Sequence, residues 1–221
     1  MLRIPLLLLA AAVLSSALEI VDRPIPFGPE RTKESLKYMR HHYGIDAKTI
    51  AIVPKIILIH ATGIDSFDDS LKRFLPETLP ADRPDIADGG RVNVSAHFMV
   101  DSDGTVYRLM EESAMARHVI GLNDSAIGIE NVGGGNGHYA NLTGAQLQAN
   151  RELIAYLMQK YPTIEYLVGH HEYRCMEKTP LWLERDASYR TRKTDPGAAF
   201  MERLRALLPA LKQPPCGEER D

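Results

Sequence analysis

Three polar side chains close apolar runs in this chain. His60 follows Ile56-Ile57-Leu58-Ile59, Glu130 follows Ile127-Gly128-Ile129, and His170 follows Leu167-Val168-Gly169. A further polar group, Arg192-Lys193-Thr194-Asp195, stands just before a C-terminal helical pattern. Strand ends are rigid and face an open edge, so side chains there can hold a fixed ligand or catalytic geometry. Two neutral imidazoles and a carboxylate form a sensible Zn2+ donor set that leaves one position for water. An ion held in this way lowers the pKa of bound water to about 7 and so provides a nucleophile at neutral pH. No compact motif of the HExxH kind joins His60 to His170. Each residue also has an ordinary reading. The histidines could be hydrogen-bonded structural groups, Glu130 a strand-end charge, Lys193 a solvated cation, and Asp195 an N-cap before Pro196.

The elements that must position these groups follow from hydrophobic period. Lys55–His60 reads as a buried strand because its β-branched run is nearly continuous. Ala126–Val132 and Ile164–Gly169 read as two more strands. Val92–Val100 alternates, Asp101-Ser102-Asp103-Gly104 is a turn, and Thr105–Leu109 returns, which predicts a β-hairpin. Arg31–Tyr43 has helical spacing at Leu36, Met39 and Tyr43, and His41-His42 at its end reads as a solvated, dipole-favoured terminus. Thr143 with Gln146 forms a capping box, and Leu142 with Leu147 a hydrophobic staple, at the start of a second helix. A third helix is expected from Asp195-Pro196-Gly197, with Pro at its first position and Pro214-Pro215 after its end. The Pro-, Asp- and Gly-rich stretch 76–90 is a loop, and Gly133–Gly137 lacks the Lys-Ser/Thr of a phosphate loop. Strands alternating with helices indicate a single α/β domain with a central mixed β-sheet flanked by helices.

Composition narrows the function. The chain has 221 residues, 26 Lys plus Arg against 29 Asp plus Glu, and 44% hydrophobic residues. That balance suits one globular domain with a real core and is a poor match to nucleic acid, whose phosphates are bound by Lys and Arg. Met1-Leu2-Arg3, the uncharged Ile4–Leu14 and Ser15-Ser16-Ala17 form the three-part pattern of a secretory signal peptide. Its apolar run is shorter than the roughly 20 residues of a membrane span, so no stable membrane anchor is expected. Residues 1–17 are thus read as signal peptide, 18–54 as lead-in and helix, 55–211 as the catalytic domain and 212–221 as tail. Export would place the two cysteines, Cys175 and Cys216, where they could pair; two free thiols are the other reading.

Five segments in this order resemble the zinc-dependent N-acetylmuramoyl-L-alanine amidases of the type 2 amidase and peptidoglycan-recognition-protein superfamily. They are IILIHAT (56–62), VNVSAHFMVDSDGTVYRLMEE (92–112), ARHVIGLNDSAIGIENVG (116–133), YLVGHHEY (166–173) and RKTDPGAAF (192–200). The resemblance implies that fold, with His60, His170 and Asp195 as Zn2+ ligands and Glu130 and Lys193 as catalytic groups. It implies that His118 and Asn123 line the cleft and contact substrate, while His97 is read as structural. His170 rather than His171 takes the ligand position, because Tyr166, Val168 and His170 share one strand face. The implied reaction is cleavage of the amide between N-acetylmuramic acid and L-alanine in peptidoglycan or muropeptides. A non-catalytic peptidoglycan binder, or a metal amidase cutting another stem-peptide bond, are the alternatives. A periplasmic or secreted monomer is expected. The segment Glu172–Thr191 is longer than in compact members and is read as a surface loop shaping the groove.

Overall fold

The structure is a computed structural model that describes residues 18–216. The expected signal segment, 1–17, and residues 217–221 lie outside the described residues. Six strands form one sheet in the order β1-β4-β3-β5-β2-β6. They are β1 (Ile20–Asp22), β2 (Ile56–Ala61), β3 (Phe98–Val100), β4 (Val106–Arg108), β5 (Ala126–Asn131) and β6 (Tyr166–Gly169). All neighbouring pairs are parallel except the β3–β4 hairpin, so the sheet is mixed. The helices are α1 (Pro29–Tyr38), α2 (Phe67–Phe74), α3 (Gly144–Lys160) and α4 (Ala198–Leu207).

Period-two alternation divides β2 and β5 between two cores. Ile57, Ile59, Ile127 and Ile129 face α3 and α4, where they meet Leu153, Ile154, Leu157, Phe200 and Leu204. Ile56, Leu58 and Ala126 face the other way, toward Tyr38, Tyr43, Tyr173 and Met176. A side chain that follows on this second face leaves the packed core at the strand end. His60 and Glu130 are in that position.

Several expectations are met closely. α3 starts at Thr143 with both halves of the capping box formed. The helix expected at 31–43 runs from Pro29 to Tyr38 and continues as a π-helical turn, Met39–Tyr43, closed by Gly44 in the left-handed region. Other expectations are corrected. The hairpin is shorter than read: only Phe98–Val100 pairs with Val106–Arg108, because Val92–His97 is buried on both sides rather than alternating. The last helix begins at Ala198, not at Pro196, and ends at Leu207; Gly197 at φ 87° forms the entry. The short β1 was not anticipated in the lead-in; it lies parallel against β4 as an edge strand.

His42 also departs from expectation. It is not a solvated helix end but is 7% exposed, stacked on Tyr38 and with Nδ1 3.0 Å from the Glu184 carboxylate. Its partner lies 142 residues away. The segment after His170 is more than a surface loop. It opens with a 3-10 stretch, His170–Lys178, buries Tyr173, Met176 and Glu184, and is joined to Cys216 by a Cys175–Cys216 disulfide.

Candidate active site

The parallel strands β5, β2 and β6 end side by side, and the loops beyond them enclose a cleft of about 310 Å3. His60 and Glu130 are register partners on β2 and β5. His170 is the first residue after β6, and β6 is the other neighbour of β2. Adjacent strands in one register thus bring together three residues widely spaced in sequence. Asp195 joins them because His171 N–H donates to the Asp195 carbonyl at 2.8 Å, which clamps the returning chain against the end of β6. Tyr173 makes a second clamp, donating its hydroxyl to the Thr191 carbonyl at 2.6 Å and accepting from Thr191 N–H at 2.9 Å.

His60, His170 and Asp195 converge on one point. The Nδ1 atoms of His60 and His170 are 3.0 Å apart, and His170 Nδ1 is 3.1 Å from both carboxylate oxygens of Asp195. His60 Nδ1 lies 3.5 Å from Asp195 Oδ2. Ala61 N–H steadies that oxygen at 3.3 Å. The carboxylate is therefore turned toward the imidazoles and not toward α4, so the N-cap reading of Asp195 is set aside. All three donor atoms lie within 4.8 Å of one another. His171, by contrast, turns its Nδ1 to the Asp195 backbone carbonyl at 3.2 Å.

The electrostatics follow from burial. His60 is lowered to about 4 by desolvation and by the neighbouring His170. Burial pushes Asp195 up, but His170 and His60 outweigh it and hold the carboxyl well below its ordinary value. Glu130 is raised to about 8, first by burial and then by the negative Asp195 beside it. Its Oε2 is buried with no hydrogen-bond partner. A buried carboxylate oxygen without a partner, aimed at a cleft, is available to bond something that enters. Lys193 lines the same cleft with its Nζ 3.7 Å from Asp85 Oδ2.

His118 and Asn123, expected together at the cleft, are placed differently from each other. His118 lines the cleft, but both its ring nitrogens bond the protein: Nδ1 lies 3.0 Å from His60 Nε2, and Nε2 lies 3.2 Å from the Ala126 carbonyl. Asn123 is wholly buried and does not line the cleft. Its Oδ1 accepts from the backbone N–H of His118 and of Val119, each at 2.9 Å, so it holds the backbone that carries His118. His97 is structural, as read. Its Nδ1 accepts from Gly128 N–H at 2.9 Å, and its Nε2 donates to the Ala114 carbonyl at 2.9 Å.

Other groups at the cleft were not read from the sequence. Arg83 lines it from the 76–90 loop and pairs at 3.0 Å with Asp85 of the same loop. Arg117 pins that loop by donating to the carbonyls of Ile86, Gly90 and Val92 and to the Tyr189 hydroxyl. No local pattern announces such a clamp; only the unusual burial of an arginine reveals it.

The family model described as N-acetylmuramoyl-L-alanine amidase matches residues 49–198. The endolysin of Escherichia phage T7 is 40% identical over 86 residues, which is 38% of this chain and 56% of that protein. The endolysin of Klebsiella phage KP32 is 39% identical over 87 residues, with the same shares. The matched stretch thus spans little more than half the length of these relatives. In fold, the amidase LysC from Clostridium intestinale URNW superposes with a TM-score of 0.52 at 24% identity, covering 88% of this chain and 99% of its own. An AmpD structure gives 0.52 at 24% identity, covering 86% and 94%.

Proposed function

Because the chain belongs to the N-acetylmuramoyl-L-alanine amidase family, we propose that it hydrolyses the amide between N-acetylmuramic acid and L-alanine in peptidoglycan or its muropeptide fragments. The observation that carries this reading is the convergence of His60, His170 and Asp195 beside the unpartnered Glu130 Oε2, all within the region the family matches.

The donor set fits a zinc ion. Two imidazole nitrogens and a carboxylate oxygen are the mixture that tetrahedral Zn2+ takes when one position stays open. Crowding two imidazole Nδ1 atoms and a carboxylate around one point is also reasonable electrostatically when a cation lies between them. Held there by His60, His170 and Asp195, Zn2+ would supply Lewis-acid polarisation of the scissile carbonyl and acidification of water.

The remaining work falls to the chain. Glu130 accepts a proton at its carboxylate from the attacking water as the new carbon–oxygen bond forms. It then delivers that proton to the alanine nitrogen as the carbon–nitrogen bond breaks, which leaves a lactyl carboxylate and a free amine. Burial and Asp195 raise this carboxyl to about 8 against the opposing pull of Arg83 and Lys193, so it is readily protonated, and a cation held by His60, His170 and Asp195 would favour its ionised form. Lys193, which lines the cleft, donates from Nζ in this reading to the carbonyl oxygen as negative charge builds there. Asp85, at 3.7 Å, restrains that ammonium without a tight pair.

The setting we propose is an exported, monomeric enzyme. The disulfide between Cys175 and Cys216 supports an oxidising compartment. Among the described residues no helix is long and apolar enough to cross a membrane, and the large exposed apolar side chains Val21, Val53, Leu75 and Leu207 are scattered through the sequence.

The test is mass analysis of products from purified sacculi, with and without chelator. Free stem peptides beginning with L-alanine, lost on chelation and regained with Zn2+, are expected. Products cut within the stem would replace this reading with a different amidase, and binding without products would replace it with a non-catalytic binder.

A further inference from the structure

The hydrogen bonds around His118 can be assigned a direction without seeing a proton. The Ala126 carbonyl only accepts, so the His118 Nε2 facing it at 3.2 Å carries the hydrogen. In a neutral imidazole the other nitrogen is then an acceptor. That acceptor, Nδ1, lies 3.0 Å from His60 Nε2, so His60 carries its own proton on Nε2. The His60 Nδ1 lone pair is therefore free and faces the point shared with His170 and Asp195.

We propose that His118 is a positioning residue that locks His60 in its Nε2–H tautomer, so that Nδ1 is presented to a divalent metal before the metal arrives. This rests on the reading of His60 as a metal ligand. The lock is itself braced from two sides. Asn123 fixes the backbone at His118 and Val119. Gly128 lies beneath the ring, where a Cβ would come within 2.8 Å of it. Gly128 is held in turn by its N–H bond to His97 Nδ1. The glycine in the Ala126–Glu130 run thus makes room for the His118 ring. A residue of the cleft wall thus also orients His60 through its ring. Partners of this kind typically change metal affinity by about 10–100-fold when removed.

Two variants separate this role from packing. In His118→Asn the amide oxygen can stand near the lost Nδ1 and still accept from His60; in His118→Leu a side chain of similar size cannot. Zn2+ affinity is measured by competition with a chromophoric chelator, and the His60 tautomer by ring nitrogen-15 NMR of the metal-free protein. The expected result is a His60 Nε2–H signal in the wild type and in His118→Asn, mixed tautomers in His118→Leu, and Zn2+ affinity weakened roughly 10–100-fold in His118→Leu alone. A wild-type His60 protonated mainly on Nδ1 would overturn the proposal without recourse to any variant. Equal Zn2+ affinity in both variants and the wild type would overturn it too. A wild type that takes up no Zn2+ would instead overturn the ligand assignment, and this inference with it.

Discussion

His60 and Glu130 are register partners on neighbouring parallel strands, one step past the last apolar residue of each. Side chains paired across two parallel strands leave the sheet on the same face. The His60 imidazole and the Glu130 carboxyl are thereby fixed relative to each other by main-chain hydrogen bonds. Asn131 reinforces that registry by donating from Nδ2 to the His60 carbonyl at 3.1 Å, and it is held in turn by Asn150 of α3.

Replacing Glu130 by Gln preserves shape and removes the proton acceptor. Zn2+ content should stay stoichiometric while turnover falls by roughly two to four orders of magnitude. Near-normal turnover on muropeptide would rule out the proton-shuttle role.

His170→Ala should behave in the opposite way and lose the metal itself. With one of three protein donors gone, Zn2+ measured by plasma emission after dialysis should fall well below one equivalent. Retention of a full equivalent would show that His170 is not a ligand.

Lys193→Ala tests the developing negative charge. The loss expected is on the order of 10²–10³-fold in kcat, with Zn2+ unchanged, as for removal of a preorganised donor. An effect confined to KM would point instead to a role in ground-state binding.

His97 offers a test that does not involve the metal. Burial holds it at about 4, below the ordinary 6.5, so the fold keeps this imidazole neutral while the unfolded chain protonates it. Its contribution is full above pH 6.5 and is lost as pH falls toward 4. In His97→Gln the amide N–H can still reach the Ala114 carbonyl, and stability measured by urea unfolding should decline less steeply between pH 6.5 and 4. Parallel pH profiles for the two proteins would refute this assignment.

Reducing the Cys175–Cys216 bond opens a loop of 41 residues in sequence separation. Chain entropy alone sets the loss at about 4 kcal/mol at most, and about 2–4 kcal/mol is expected. Urea midpoints with and without reductant measure it; identical midpoints would show that the tail contributes nothing.

The parts legible in the sequence are those governed by local pattern. His60 and His170 stood out because an apolar run ended in an imidazole, and Thr143 with Gln146 announced α3 within four residues. Asp195 was ambiguous alone, since a carboxylate before Pro196 fits a helix start equally well; the backbone clamp from His171 brings it beside His60 and His170. The residues whose contacts were not foreseen share one cause. His42 is defined by Glu184, and His118 by His60, partners that no short window contains. Asn123 carried a motif position but not its burial. Arg117 and the 76–90 loop it pins required the tertiary structure in the same way.

The two clamps that return the chain to Asp195 have a consequence for protein engineering. His171 and Tyr173 fasten the incoming chain to Asp195 and Thr191, so residues 174–190 form an excursion that leaves and rejoins the scaffold at fixed points. Met176, Glu184 and Tyr189 bury part of it and Cys175 ties it to Cys216, so exchange is confined to its exposed stretch, residues 185–188, with the stems keeping the geometry of His170 and Asp195. Tyr189 also lines the cleft. Changing the stretch beside it is therefore a way to reshape the rim of the groove while His60, His170 and Asp195 stay in place.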